Sequence, residues 1–419
     1  MALPDTVPLH EFALPEGFDA IGITCGLKAS GRPDLALLTA GSPWTAAGVF
    51  TTNRVVAAPV IWDRARIGGG SSGFHALVAN SGCANACTGE RGHADVRRSA
   101  EHVAAALGCA PEQVLVLSTG VIGVPLDMDK LTRGIDAAAD RLRTGPALPG
   151  GADPAESRHA SAVRAIMTTD TRPKTAAADV TIAGRRVAIR GFAKGSGMIH
   201  PGLATMLAVI ATDAVIEPAR LQRLLRAACD HSFNRVTVDG DMSTNDTVLL
   251  LASGASGVRI EAAEESEFAA GLLGACVSLA RQIAADGEGA TRLVEITVTG
   301  AASEGDAHRI ADAIARSPLF KTAVHGGDPN WGRVLAAAGA CGVAFDPERV
   351  RLAFGAGAGA VEVVRGGVRA RYDEAAAAAR LRESPVVVGL DLAGGPHRAT
   401  VWTCDLSAAY VSINADYTT

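Results

Sequence analysis

The stretch Lys194-Gly195-Ser196-Gly197-Met198-Ile199-His200-Pro201-Gly202-Leu203-Ala204-Thr205-Met206-Leu207 decides how this chain is read. It sets a threonine, Thr205, just past a Gly/Pro-rich loop, where the apolar run 206–211 begins. A threonine hydroxyl is a poor nucleophile unless a base sits beside it. Cutting the chain before the threonine supplies one. The freed α-amine has an intrinsic pKa of about 7.7–8.0, so a substantial fraction is neutral at cellular pH. In that reading the Thr205 Oγ attacks the Ala204 carbonyl, an N→O acyl shift gives an ester, and water opens it. The plainer reading is a helix N-cap, with Thr205 capping a helix over the apolar run. Both readings stand at this point.

Working outward, residues 180–182 and 187–192 flank Ala183-Gly184 and predict a hairpin that delivers the chain to this segment. Short strand-like runs at 35–40, 47–51, 60–62 and 76–80 alternate with turn signals. Gly68-Gly69-Gly70-Ser71-Ser72-Gly73 marks an exposed loop. Helical composition covers 94–107 and 127–142, with a short buried strand at 114–117 running into Ser118-Thr119-Gly120. Residues 144–154 are Pro/Gly-rich and predict a surface loop, and 157–167 fits a strand or a helix. Beyond Thr205, Pro218 suits a helix N1 position ahead of Leu221, Leu224, Leu225 and Ala228. Helices follow at 262–285, 307–315 and 374–382, with strands at 293–298, 350–354, 361–364, 386–392 and 399–406. Helices and mainly antiparallel strands without a βαβ cadence predict an α+β fold. No internal repeat is visible.

Composition narrows the function. The 419 residues carry a net charge of −5, and the arginines are scattered, so no basic footprint for nucleic acid exists. The N-terminus has neither a basic region nor an apolar core of a secretory signal, so the expected location is cytoplasmic. No stretch reaches the roughly 20 uninterrupted apolar residues of a membrane span. The longest candidate, 206–216, is interrupted by Thr212 and Asp213. Eight cysteines lie without C-x-x-C spacing and read as reduced, mostly buried thiols. Cys83 and Cys87 lack the further ligands that a metal needs, so no metal is expected. Gly355-Ala356-Gly357-Ala358-Gly359-Ala360 follows a strand but precedes another strand, so it predicts a tight hairpin and not a dinucleotide turn. Gly69-Gly70-Ser71-Ser72-Gly73 matches a nucleophile-elbow pattern in letters only, without its strand-turn-helix setting.

Several segments together resemble one family. Lys194 to Asp213 is similar to the processing-site segment of the ornithine acetyltransferase (glutamate N-acetyltransferase) family of arginine biosynthesis. Asn80-Ser81-Gly82-Cys83-Ala84-Asn85-Ala86-Cys87-Thr88-Gly89, Ser118-Thr119-Gly120-Val121-Ile122-Gly123 and Met167-Thr168-Thr169-Asp170-Thr171-Arg172-Pro173-Lys174 resemble its other signatures. So do Asn234-Arg235-Val236-Thr237-Val238-Asp239-Gly240-Asp241-Met242-Ser243-Thr244-Asn245-Asp246, Asp286-Gly287-Glu288-Gly289-Ala290-Thr291 and Gly327-Asp328-Pro329-Asn330-Trp331-Gly332-Arg333. The matches span most of the chain in the expected order.

The resemblance implies a layered, N-terminal-nucleophile-like acetyltransferase architecture and self-cleavage between Ala204 and Thr205. It implies α (1–204) and β (205–419) chains that stay associated and assemble further, as a heterotetramer of two of each or larger. The implied reaction is ping-pong: Thr205 takes acetyl from N2-acetyl-L-ornithine, releases ornithine and passes the acetyl to glutamate. Thr119 and Gly120 match the oxyanion hole. Thr168, Lys194, Thr205, Glu288, Asn414 and the C-terminal Thr419 match substrate-binding positions. Lys194 is assigned to a substrate carboxylate, against the alternative of a solvated loop lysine, and Glu288 to the δ-ammonium of ornithine. Asp239, Asp241 and the turn 328–331 are read as buried carboxylates and turns bracing the site. No cofactor is implied, and whether acetyl-CoA also serves as a donor stays open.

The chain departs from the family pattern at three positions. Cys83 and Gly202 stand where asparagine, or for Gly202 also serine, is usual, and Met242 stands where threonine or serine is. These departures leave room for a paralogue acting as an amidohydrolase, an aminopeptidase or an acyltransferase on another substrate. An uncleaved binding protein is the third alternative.

Overall fold

The computed structural model of the chain describes residues 6–144, 158–200 and 206–416. The predicted loop at 144–154 therefore falls almost wholly outside the described residues, as do Ala204, Thr205 and Thr419.

The first part of the chain runs β1 (Phe18–Ile23), β2 (Leu35–Phe50), α1 (Ala58–Ile67), β3 (Ser71–Cys83), α2 (Gly89–Leu107), β4 (Val114–Val121), α3 (Met128–Thr144) and α4 (Arg158–Ala165). It continues through β5 (Lys174–Ile182), β6 (Arg185–Lys194), β7 (Leu207–Thr212), α5 (Pro218–Asp230), β8 (Thr247–Ala252) and α6 (Glu265–Ala285). The strands form one eight-stranded sheet in the order β4-β3-β2-β8-β7-β6-β5, with β1 also pairing β2.

The centre of this sheet is apolar on both faces. Leu207, Val209, Leu249 and Leu251 meet Phe12, Trp44 and Phe192 on one face. Ala208, Ile210, Val248 and Leu250 meet α5 and α6 residues such as Leu221, Leu225, Leu272 and Leu279 on the other. Period-2 alternation with no polar face is what a doubly covered strand requires. A third cluster packs α2 and α3 against β3 and β4, through Val96, Val103, Leu131 and Ile135.

The second part holds β9 (Leu293–Ala301), α7 (Glu304–Ala315), α8 (Pro318–Gly326), α9 (Trp331–Ala340), β10 (Arg351–Phe354), β11 (Val361–Arg365), β12 (Val368–Arg369), α10 (Glu374–Arg380), β13 (Val386–Asp391), β14 (His397–Cys404) and α11 (Ala408–Asp416). Its sheet runs β12-β11-β10-β13-β9-β14. Antiparallel pairs predominate in both sheets, and β3–β4, β7–β8 and β9–β13 are parallel. The fold is α+β, as composition and pattern predict.

Several expectations need correction. The run 60–62 is not a strand but lies inside α1, which Pro59 starts and which buries Val60, Asp63 and Ile67 on one face. Three apolar residues cannot separate the two periods. The strands expected at 35–40 and 47–51 are the two ends of the single strand β2. The exposed loop expected at 68–73 is shorter, because β3 begins at Ser71. Between the two predicted helices and strands of the C-terminal part, α8 and α9 form where only a turn was expected, capped by Ser317 and Asn330. The longest apolar candidate for a membrane span is not 206–216, which holds β7, but α6. By length and composition it could cross a membrane, yet Phe268, Leu272, Leu279 and Ile283 are core residues packed on β5 and β6. The hairpin at Ala183-Gly184 forms as predicted, with φ of +48° and +77°, the two left-handed residues of a type I′ turn. Gly355 to Ala360 joins antiparallel β10 and β11, again a hairpin.

Candidate active site

Thr119 and Gly120 lie near the end of strand β4, beside the end of β3, and the parallel pairing slips there between Gly82 and Cys83. Gly120 sits at φ +130°, and a Cβ on it would lie 2.4 Å from the Gly82 carbonyl carbon and 2.6 Å from the Cys83 nitrogen. Only glycine allows the two backbones to come so close. Side chains brace the same point. The Ser118 Oγ donates to Asn80 Oδ1 at 2.7 Å, and Asn80 Nδ2 donates to the Cys83 carbonyl at 2.9 Å. Asn245 Nδ2 donates to the carbonyls of Ser118 (2.9 Å) and Ala84 (2.7 Å). Thr119 is thereby fixed from both flanks.

Lys194 ends β6 and is buried, not a solvated loop residue. Its Nζ donates to Thr119 Oγ1 at 3.3 Å. An ammonium can only donate, so the Thr119 oxygen accepts and its own O–H is left to donate elsewhere. Burial pulls the Lys194 ammonium below the usual lysine range, with Asp170, Asp246 and Glu288 resisting and Lys174 adding to the pull.

Beneath Lys194 lies a buried ion cluster. Lys174 is fully buried and donates to Asp170 Oδ1 and to Asp286 Oδ2, both at 2.6 Å. Asp170 also accepts the backbone N–H of Gly195 (2.7 Å) and of Thr168 (2.9 Å). Asp286 accepts from the Thr171 backbone and hydroxyl. Burial alone would raise the Asp170 carboxyl, but Lys174, Lys194 and the Gly195 N–H outweigh it and hold the group well below the usual carboxylate range. One cluster thus ties together the loops that carry Thr168 and Glu288 and the end of β6, which carries Lys194.

Thr119, Gly120, Thr168, Lys194, Glu288 and Asn414 line a single cavity of about 160 Å³. Glu288 donates its backbone N–H to the Ser196 carbonyl at 2.9 Å, and its carboxylate accepts from Asn414 Nδ2 at 2.9 Å. Gly197 passes so close that a Cβ there would lie 2.4 Å from the Glu288 carboxyl carbon. Asn414 is carried by α11, a helix where a disordered tail is the default expectation. All six described residues that the resemblance assigns to the site therefore come together. Ala204, Thr205 and Thr419 lie outside the described residues. The residue after Thr205, Met206, is buried and leads directly into β7. The apolar run is thus a strand, and the helix that an N-cap at Thr205 requires does not exist.

Asp239 does brace the segment that follows Lys194, accepting the N–H groups of Met198 (2.6 Å) and Ile199 (2.8 Å). Asp241 does not: it is exposed and donates its own N–H to Asp239. The turn 328–331 caps α9 through Asn330 in the second sheet's layer and does not line the cavity. Asp170, Lys174, Asn245 and Asp246 carry the site's internal scaffolding without having been assigned roles from sequence. All four fall within the quoted signatures, so the signal was present, but their partners sit up to 161 residues away.

Comparison with known proteins bears on the family. The model of the ArgJ family matches residues 19–419. The "Arginine biosynthesis bifunctional protein ArgJ" of Symbiobacterium thermophilum is 50% identical over 410 residues, covering 97% of this chain and 98% of that protein. The protein of the same name from Thermosynechococcus vestitus is 46% identical over 424 residues, covering 96% and 97%. Among solved structures, the arginine biosynthesis bifunctional protein argJ of Bacillus halodurans is 38% identical with a TM-score of 0.47, covering 50% of this chain and 98% of that one. Ornithine acetyltransferase of Mycobacterium tuberculosis, complexed with ornithine, is 39% identical with a TM-score of 0.39, covering 46% and 94%. With a family match over nearly its whole length and full-length relatives at half identity, this chain belongs to the ArgJ family.

Proposed function

We propose that the chain cleaves itself between Ala204 and Thr205, giving α (1–204) and β (205–419) chains. The product then moves acetyl from N2-acetyl-L-ornithine to L-glutamate through an acetyl ester on Thr205. In the first half-reaction the Thr205 α-amine takes the Oγ proton as Oγ attacks the acetyl carbonyl. The tetrahedral oxyanion is held by the Thr119 hydroxyl and the Gly120 N–H. Collapse breaks the C–N bond, the ammonium returns the proton to the leaving nitrogen, and ornithine departs. Glutamate's α-amine then attacks the ester by the same steps in reverse. Lys194 pairs with the substrate α-carboxylate and Glu288 with the δ-ammonium of ornithine, Asn414 holding the Glu288 carboxylate. Thr168 and Thr419 complete the substrate contacts. No cofactor enters these steps. The relatives are named bifunctional, which extends the proposal to acetyl-CoA as a second acetyl donor to glutamate.

The observation that carries this reading is the Lys194–Thr119 hydrogen bond. A lysine donating to the threonine oxygen leaves the hydroxyl proton as a donor beside Gly120, in the same cavity as a carboxylate suited to an ammonium. Incubating the purified protein with N2-acetylornithine, with and without glutamate, tests it. Ornithine release should depend on glutamate and N-acetylglutamate should appear in equal amount. Release indifferent to glutamate would sink the transferase reading in favour of an amidohydrolase. Replacing N2-acetylornithine with acetyl-CoA reads out the second donor. Thr205→Ala should abolish both cleavage, seen as one full-length band on a denaturing gel, and turnover.

A further inference from the structure

Lys28 takes no part in the steps above, yet the fold runs its side chain from one wall of the cavity to another. It stands in the loop between β1 and β2, which the buried Asp34 closes from within. The Asp34 carboxylate accepts the N–H groups of Cys25 (2.6 Å), Gly26 (3.1 Å) and Lys28 (2.9 Å). From there the Lys28 stem crosses Gly82, where a Cβ would lie 3.2 Å from the Lys28 Cγ, and Gly82 is the residue that pairs with Gly120. The Lys28 Nζ then donates to two carbonyls, Pro33 of its own loop at 2.7 Å and Met167 at 2.6 Å. The lysine thus spans from beside the Thr119–Gly120 turn to the residue before Thr168.

The end of α4 has another anchor, since the Ser81 Oγ donates to the Ala165 carbonyl at 2.5 Å. What Lys28 adds falls on a single peptide unit. The Met167–Thr168 peptide gives its carbonyl to the Lys28 ammonium and its N–H to Asp170 Oδ2 at 2.9 Å. A peptide is a rigid plane, so fixing both polar ends fixes its orientation. Both bonds are charge-assisted, about twice as strong as neutral ones. Keeping a cation there is costly. Burial pulls the Lys28 pKa down to about 8, with Arg32 and Lys194 adding to the pull and Asp34 and Asp170 opposing it.

We propose that Lys28 is a positioning residue of the substrate site, holding the Met167–Thr168 peptide so that Thr168 meets the substrate at a set distance from the Thr119–Gly120 turn. This rests on the reading of Thr168 as a substrate contact. Thr168 lines the cavity and Lys28 does not, so Lys28 bears on a substrate through Thr168. A residue that acts through another leaves a measurable signature: the effects of the two substitutions do not add.

The experiment is a double-mutant cycle in the full chain. It uses Lys28→Met, which keeps the stem and removes the donor, Thr168→Ala, and the two together. KM and kcat are measured for ornithine release from N2-acetylornithine in the presence of glutamate. Thr168→Ala should raise KM about 10-fold, the worth of one hydrogen bond to a bound substrate, with kcat little changed. Lys28→Met should raise KM about 3–10-fold, and the double variant should be no worse than Thr168→Ala alone. KM increases that multiply in the double variant overturn the proposal, as does Lys28→Met with the wild-type KM or with its loss confined to kcat. If Lys28→Met does not fold, Lys28→Gln takes its place as a shorter, uncharged donor, and its KM rise should likewise vanish beside Thr168→Ala. Thr168→Ala with the wild-type KM would remove the substrate reading of Thr168 and this proposal with it. Multiplied effects remove the role of Lys28 alone, so the two failures are distinguishable.

Discussion

At the level of single residues, the site is built from groups whose chemistry is set by what they cannot do. Lys194 cannot accept a hydrogen bond, so Thr119 must, and the Thr119 proton is thereby directed away from the lysine. Gly120 cannot be anything else, because a Cβ would meet backbone at 2.4 Å. In the proposed mechanism, Thr119→Ala deletes one donor that acts on the oxyanion and not on the bound substrate. The expected result is a fall in kcat of about 10²–10³-fold with KM far less affected. Steady-state kinetics with N2-acetylornithine check this, and a loss expressed wholly in KM would assign Thr119 to ground-state binding instead. Gly120→Ala should lower Tm as well as activity, since two backbone segments must separate to admit the methyl group.

At the level of elements, the ion cluster of Lys174, Asp170 and Asp286 joins β5, the turn before it and the end of α6. Lys174→Met leaves two buried carboxylates facing each other, and breaking such a cluster costs about 3–5 kcal/mol. Chemical denaturation should show that loss. Asp170→Asn should cost less, since Asn still accepts from Gly195. The pH dependence has a definite sign. The folded Asp170 carboxyl lies below its unfolded value of about 3.9, so its stabilisation is complete above that pH and drains away as pH falls through the folded value. Melting curves from about pH 5 down to about pH 2 should therefore fall more steeply in the wild type than in Asp170→Asn, with no difference in slope above about pH 5. Equal slopes would mean that Asp170 is not held ionised by Lys174. None of this was legible in the sequence, although every member lies in a quoted signature, because Lys174 and Asp286 are 112 residues apart. What was legible is local. The type I′ turn at Ala183-Gly184, the helix started by Pro218 and the long amphipathic runs all carry their signal within a few residues. The misread run 60–62 and the missed α8 and α9 fail for the converse reason. Their apolar runs are short, and helicity there is decided by Pro59, Ser317 and Asn330 at the caps and by packing onto the sheets.

For the whole molecule, the order of strands in the eight-stranded sheet determines what the proposed self-cleavage would do to the fold. Strands β7 and β8 both follow the cut, yet they occupy the middle of the sheet. On one side β8 pairs with β2 over Thr45–Phe50, and on the other β7 pairs with β6 over Ile189–Lys194. Severing the chain between Ala204 and Thr205, as proposed, would therefore remove no ladder. It would leave two strands of the β chain held between strands of the α chain, their apolar faces covered on both sides. The parallel β7–β8 pair brings Leu207 beside Thr247, a proximity that periodicity along the chain cannot reveal. Burial of both faces of two central strands is far more than two separated chains could afford to expose. The two fragments are thus expected to co-elute as one species on size exclusion in native buffer, whatever the salt concentration, and to part only in denaturant. Because the contact is apolar and hydrogen-bonded, high salt should not loosen it. Fragments that separate in 1 M salt would show that the α–β association is ionic and that the central ladders do not survive the cut.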